Sequence, residues 1–113
     1  MSKPMTFSDY QREASKTAGD HMTLTQAGLG LWGETGEVGE MIKKLNRGDV
    51  VQDHAWNKAM AKELGDVLWY LSELAGRVGY SLQQVAVMNL EKLRRRDKMG
   101  LIKGSGSDRE VEV

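Results

Sequence analysis

Pro4 is the only proline in the chain. Everything after it lacks the one residue that both removes a backbone donor and clashes with the preceding helical turn. That long stretch is rich in Leu, Met, Ala, Glu, Lys and Gln, all good helix formers. Its apolar residues recur three and four apart, and the spacing predicts four helices. The first runs from about Thr6 to Ala18, with Thr6 or Ser8 as cap and Phe7, Tyr10, Ala14 and Thr17 along one face. The second covers Gln26 to Asn46, with Leu31, Val38, Met41, Ile42 and Leu45 as its stripe and Gly48 just past its end. Asp53 caps the third, which runs to about Arg77 on Met60, Leu64, Val67, Leu68, Leu71, Leu74, Ala75 and Val78, and Gly79 ends it. Ser81 and Gln84 form a capping box for the fourth, whose stripe is Leu82, Val85, Ala86, Leu90 and Leu93. Basic residues crowd its last turn, where they suit the helix dipole. No segment reads as a β-hairpin and none repeats. The expectation is an all-α bundle of four to five helices in a single domain, residues 1–113, with a core over about 7–98 and a glycine-rich, partly mobile tail over 99–113.

A chain of 113 residues supports one modest core. Four helices of this size bury limited apolar surface, so self-association is expected. Lys and Arg balance Asp and Glu, 16 against 16, so bulk charge gives no pull toward a nucleic acid polymer. The absence of cysteine excludes disulfides and thiolate metal sites. With only His21 and His54, a histidine-rich metal site is not expected either, and both read as ordinary loop or helix-start residues. The N-terminal stretch has no apolar signal-like core, and no run reaches membrane-spanning length. A cytoplasmic protein without membrane partners is the expectation.

Residues 28–40, GLGLWGETGEVGE, need separate treatment. Gly28, Gly30 and Gly33 spell G-x-G-x-x-G, but a dinucleotide fingerprint requires a buried strand before it and a βαβ unit around it. The preceding AGDHMTLTQA is not such a strand. The alternative is a helix with Gly30, Gly33, Gly36 and Gly39 every three residues. Each helical glycine costs roughly 0.8–1 kcal/mol relative to alanine. Such spacing leaves room for another helix, for a ligand, or for both.

The acids are the stronger signal. Glu34 and Glu37 share one helix face, and Glu34 lies between Leu31 and Val38 on the apolar stripe. Glu63 and Asp66 repeat the spacing, with Glu63 between Met60 and Val67. A single acid pair of this kind is ordinarily a solvated face. Two pairs, both on apolar stripes, direct four carboxylates toward the bundle interior, where they need protonation or a cation. An all-oxygen ligand set of this kind suits Mg²⁺, with Mn²⁺ as a substitute.

These residues resemble a family. LGLWGETGEVGEMIKK followed by AKELGDVLWYLSELA looks like the MazG-like branch of the all-α nucleoside triphosphate pyrophosphohydrolases. Glu34-Thr35-Gly36-Glu37 matches the family's E-x-x-E, and Glu63-Leu64-Gly65-Asp66 its E-x-x-D, with residues 38–62 as spacer. Asn89, Lys92 and Arg96 match N-x-x-K-x-x-x-R on the last helix. YQREASKTA near the start and GSGSDRE near the end also look like small phage and bacterial members, so the resemblance covers roughly residues 7–109.

The resemblance implies Mg²⁺-dependent cleavage of a nucleoside triphosphate between its α- and β-phosphates, giving a monophosphate and pyrophosphate. It implies an active site completed by oligomerisation. Metal held by Glu34, Glu37, Glu63 and Asp66 would neutralise the triphosphate and lower the pKa of a water that attacks the α-phosphorus. Lys92 and Arg96 would hold phosphates or spread the leaving charge, and Asn89 would bond sugar or phosphate. Without the resemblance, EKLRRRDK is a solvated basic face, and Arg94 and Arg95 take no role. Trp32 is a candidate for base contact. Trp69 and Tyr70 also lie beside the acids, although aromatic core is the plainer reading of Trp69. Glu40 is a candidate accessory ligand, and Lys43 and Lys44 read as a surface pair. Some relatives place a further glutamate where this chain has Gly33, so the water is activated by Glu34 or by the metal alone. Two other functions remain open on the sequence: a phosphoribosyl-ATP pyrophosphatase, and a catalytically silent helical module that binds nucleotides or a partner.

Overall fold

The computed structural model describes residues 3–100. The mobility expected of the tail concerns residues that lie, beyond Gly100, outside those described. Four α-helices follow one another: α1 Phe7–Ser15, α2 Leu24–Asn46, α3 His54–Arg77 and α4 Leu82–Lys98. No strand occurs among the described residues.

Local chemistry sets each boundary. Thr6 caps α1 by accepting from the Asp9 amide, and the Asp9 carboxylate accepts from the Thr6 amide, both at 3.0 Å. The helix stops at Ser15, short of the expected Ala18, because residues 16–18 tighten into turns with Thr17 and Ala18 amides bonding back three residues. α2 begins two residues earlier than expected, since Thr23 and Gln26 form a second capping box. Asp53 caps α3 through the Trp56 amide at 2.8 Å, and Ser81 with Gln84 caps α4, both as the sequence indicates. At two helix exits the chain turns left-handed at Gly48 (φ 83°) and Gly79 (φ 89°), a conformation that L side chains resist.

α2 packs chiefly along α3, which brings the two acidic motifs onto facing helices. α1 lies against both α3 and α4. Gln11 joins these three: its Nε2 donates to the Ser72 carbonyl at 3.1 Å, and its Oε1 accepts from the Leu82 amide at 2.9 Å. The buried apolar residues among those described are Ala27, Ala75 and Leu82. Much of the predicted stripes stays open to solvent, including Leu64 (51 % exposed), Leu71, Val78 and Leu90. Full burial of one such side chain is worth about 1.5–3 kcal/mol, a gain that the described residues leave largely unrealised.

Candidate functional site

Where α2 and α3 run side by side, carboxylate oxygens of Glu34, Glu37 and Glu63 all lie within 4.8 Å of one another. Glu34 and Glu63 are partly buried, while Glu37 is exposed. The ion pairs of the described residues lie elsewhere, on Asp9, Glu13, Glu40, Asp49 and Glu73. Glu63 shows the consequence. Its shared hydrogen bond with Glu34, its burial and the negative charges of Glu34 and Asp66 push its carboxyl above the usual range, with only a contact to Glu37 acting the other way. The Glu63 Oε1 is shielded from solvent and has no hydrogen-bond partner. An orphaned oxygen in an all-carboxylate group fits a hard divalent cation, which would offset the crowded negative charges.

Asp66 stands outside the group of three. It is exposed and, with Glu34, Trp69 and Tyr70, lines an adjoining open cavity of about 330 Å³. Trp69 is held there by its indole N–H, which donates to Thr17 Oγ1 at 2.8 Å, and by an edge-on contact with Tyr70 at 4.9 Å between ring centres. Tyr70 answers part of the glycine question. Its ring occupies the space that a Cβ on Gly30 would fill, whereas Gly33, Gly36 and Gly39 meet nothing within 4 Å. One glycine admits an aromatic ring, and the other three leave an open face beside the acids.

The remaining predicted residues fall in several places. Trp32 is 74 % exposed. Asn89 and Lys92 line a second cavity, about 410 Å³, together with Tyr80, Val85, Met88 and Arg95 among others. It shares no lining residue with the acid cavity, so the α4 motif and the carboxylates do not merge into one pocket among the described residues. Arg96 is 3 % exposed, and its Nε and Nη2 have no hydrogen-bond partner. Glu40 pairs with Lys43 at 3.3 Å rather than joining the carboxylate group. His21 lines a third cavity, and His54 opens α3.

With this geometry in view, the comparisons with known proteins can be placed. Residues 22–101 match the MazG nucleotide pyrophosphohydrolase domain. The chain belongs to the MazG family. The matched region contains both acidic motifs and the whole of α4, and the four-helix, all-α architecture is the MazG-like fold expected from the sequence. This MazG chain is also similar to the Gene 37 protein of Mycobacterium phage L5, 38 % identical over 89 residues, which are 76 % of each chain. No solved structure matches it. No helix among the described residues is long and apolar enough to cross a membrane.

Three residues that shape the site's surroundings carry no site role in the sequence: Thr17, expected only on one face of the first helix, Glu73, and Arg77, expected only as the end of the third. Nothing in the sequence singles out Thr17, whose role depends on where the α1–α2 connection crosses Trp69. Glu73 and Arg77 did leave a signal. Glu63, Asp66, Tyr70, Glu73 and Arg77 follow each other three and four apart, so the polar face of the motif continues to the end of α3.

Proposed function

We propose that this MazG chain is a Mg²⁺-dependent nucleoside triphosphate pyrophosphohydrolase, cleaving ribo- or deoxynucleoside triphosphates to monophosphate and pyrophosphate. Clearing unwanted nucleotides is the role that fits. The observation that carries the reading is the group of three carboxylates on two facing helices, with an orphaned oxygen at Glu63 and an open cavity beside it. Glu34, Glu37 and Glu63 would hold the metal, with Asp66 joining from the cavity wall. When bound, Mg²⁺ supplies neutralisation of the triphosphate and activation of water. The chain's own residues do the rest. Glu34 reaches both the carboxylate group and the cavity, which supports it as the residue that would orient the attacking water and accept its proton. Trp69 and Tyr70 wall the cavity and exclude bulk water on that side. Lys92 and Asn89 would hold phosphate and sugar, while Arg96, at 3 % exposure, would act on the leaving pyrophosphate by its charge from within the fold rather than by contact.

Because the α4 motif and the carboxylates line separate cavities in one protomer, a second copy is the natural means of completing the site. The solvent-facing Leu64, Leu71, Val87, Met88 and Leu90 supply apolar surface for such a homodimer or homotetramer. The test is hydrolysis of a panel of nucleoside triphosphates with Mg²⁺, with EDTA and Glu37→Ala as controls and products resolved by chromatography. Metal-dependent monophosphate and pyrophosphate are expected. Folded, Mg²⁺-binding protein that turns over only phosphoribosyl-ATP would reassign the substrate, and one that turns over nothing would leave a silent binding module.

A further inference from the structure

Three turns beyond Glu63, α3 carries another carboxylate with a different fate. Glu73 is 2 % exposed, and neither of its carboxylate oxygens has a hydrogen-bond partner. Its counter-charge is Arg77, whose Nη2 lies 3.3 Å from Glu73 Oε2. Arg77 is itself 30 % exposed on its side chain, so water is within its reach. It nevertheless turns inward, and its Nε donates to the Met22 carbonyl at 2.7 Å. Met22 immediately precedes Thr23, the residue that caps α2. The other end of the same connection is held by Thr17, which accepts from the Trp69 indole. Two α3 side chains, two turns apart, thus grip both ends of residues 16–23. Trp69 is also a wall of the acid cavity. On its other side, Tyr70 borders a cavity of about 580 Å³ lined by Ala18, His21 and Met22 from the connection and by Gln26 and Leu29.

We propose that Glu73 and Arg77 are positioning residues, a buried carboxylate and a partly exposed guanidinium that clamp the Met22 carbonyl and so fix residues 16–23 and the Trp69 indole beside the acid cavity. The physical argument runs through the guanidinium. It is planar, so an Nη that faces a carboxylate leaves Nε aimed at a fixed second direction. A buried carboxylate without other hydrogen bonds cannot release its cation cheaply, which keeps Arg77 from swinging into water. Arg77 in turn keeps the connection from lifting. The carboxylates at the α2–α3 seam are held by helix packing and not by this clamp. The clamp therefore acts on how the substrate is received rather than on how the metal is held. That consequence rests on the hydrolase reading above, whereas the clamp itself does not.

The experiment compares wild type, Glu73→Gln and Arg77→Met in full-length protein. Amide hydrogen exchange over residues 16–23, Mn²⁺ binding by calorimetry, and KM and kcat for the preferred triphosphate are measured. In both variants exchange over 16–23 is expected to rise about tenfold more than exchange in the four helices, the signature of a local opening beyond any global loss of stability. KM is expected to rise about five- to tenfold with kcat within about twofold and Mn²⁺ affinity unaltered, since positioning is lost and chemistry kept. Unchanged exchange over 16–23 overturns the clamp. So does a uniform rise across all helices, or a parallel loss of kcat and Mn²⁺ affinity, which would mark Glu73 as an ordinary core residue. Should Glu73→Gln fail to fold, the partly exposed Arg77→Met carries the decision alone. If wild type hydrolyses no triphosphate, the proposed function fails, and exchange over 16–23 still decides the clamp.

Discussion

Along one face of α3 the chain treats two carboxylates in opposite ways. Glu63 sits among like charges, close to Glu34 and Glu37, and its pKa is raised. Glu73 is more deeply buried and has a guanidinium at 3.3 Å, which the same helix supplies one turn later. A buried charge balanced by the chain itself belongs to the architecture. A cluster of charges that the chain leaves unbalanced is complementary to something that is not part of the chain. The contrast separates a ligand site from a structural pair without reference to any relative, and it can be broken by experiment at either end.

The largest effect is expected at the unbalanced end. Glu63→Gln keeps the shape of the side chain and removes one negative ligand. Hydrolysis should fall on the order of 10²–10³-fold in kcat/KM, the scale of losing one electrostatic contributor to the transition state. Thermal unfolding of the metal-free variant should show it at least as stable as wild type, because a like charge has gone. A variant that is both active and destabilised would invert the comparison.

At the balanced end the signs reverse. Arg77→Ala leaves Glu73 buried without its counter-charge, and the cost should be about 2 kcal/mol, below the 3–5 typical of fully buried pairs because water reaches Arg77. A lower urea midpoint with an unchanged m-value would show this. Replacing both members, as Glu73→Met with Arg77→Met, should recover most of the stability while leaving the Met22 carbonyl without its donor. If the double variant is as unstable as Arg77→Ala, the burial of charge is not what makes the pair matter.

The glycines of α2 extend the contrast to packing. Gly30→Ala drives a methyl group into the Tyr70 ring and should cost about 1–3 kcal/mol, as overpacking does. Gly33→Ala meets nothing within 4 Å, so the better helix propensity of alanine should stabilise the protein by up to about 1 kcal/mol. Denaturation of the two variants side by side measures the difference directly.

These cases show which parts of the molecule the sequence made legible. Helix existence and most ends could be read, because caps such as Asp53 and Ser81 act within four residues. The facing of Glu34 and Glu63 could be read from their places on apolar stripes. The exclusion of Asp66 from the carboxylate group could not, since i, i+3 spacing fixes a face but not which oxygens meet across a helix pair. The reason for Gly30 lies in Tyr70, forty residues away, and the reason for Thr17 in Trp69. Such pairings are set by how the helices cross, which no local pattern encodes. The α1 end at Ser15 was missed for a similar reason: the turns of residues 16–18 suit a connection anchored from α3.

The smallest effect tests the unbalanced cluster by pH alone. The carboxyl of Glu63 is raised, so from the ordinary glutamate range up to its folded value the native state binds more protons than the unfolded chain. Stability of the metal-free protein should therefore fall as pH rises through that window, and level off above it. Asp9 and Glu13 work in the other direction and lower down. The Thr6 amide and Arg12 depress Asp9, and Lys16 depresses Glu13, so their contributions are present above the usual carboxylate values and fade as pH falls through the depressed ones. Urea midpoints measured across the acid range should thus decline on both sides of the ordinary carboxylate pKa. Saturating Mg²⁺ should remove the high-pH decline only, because the cation offsets the negative charges that raise Glu63. Glu63→Gln should remove the same limb without metal. A high-pH decline that survives the substitution would place its origin outside the carboxylate group, and the distinction between the two ends of α3 would then rest on Arg77 alone.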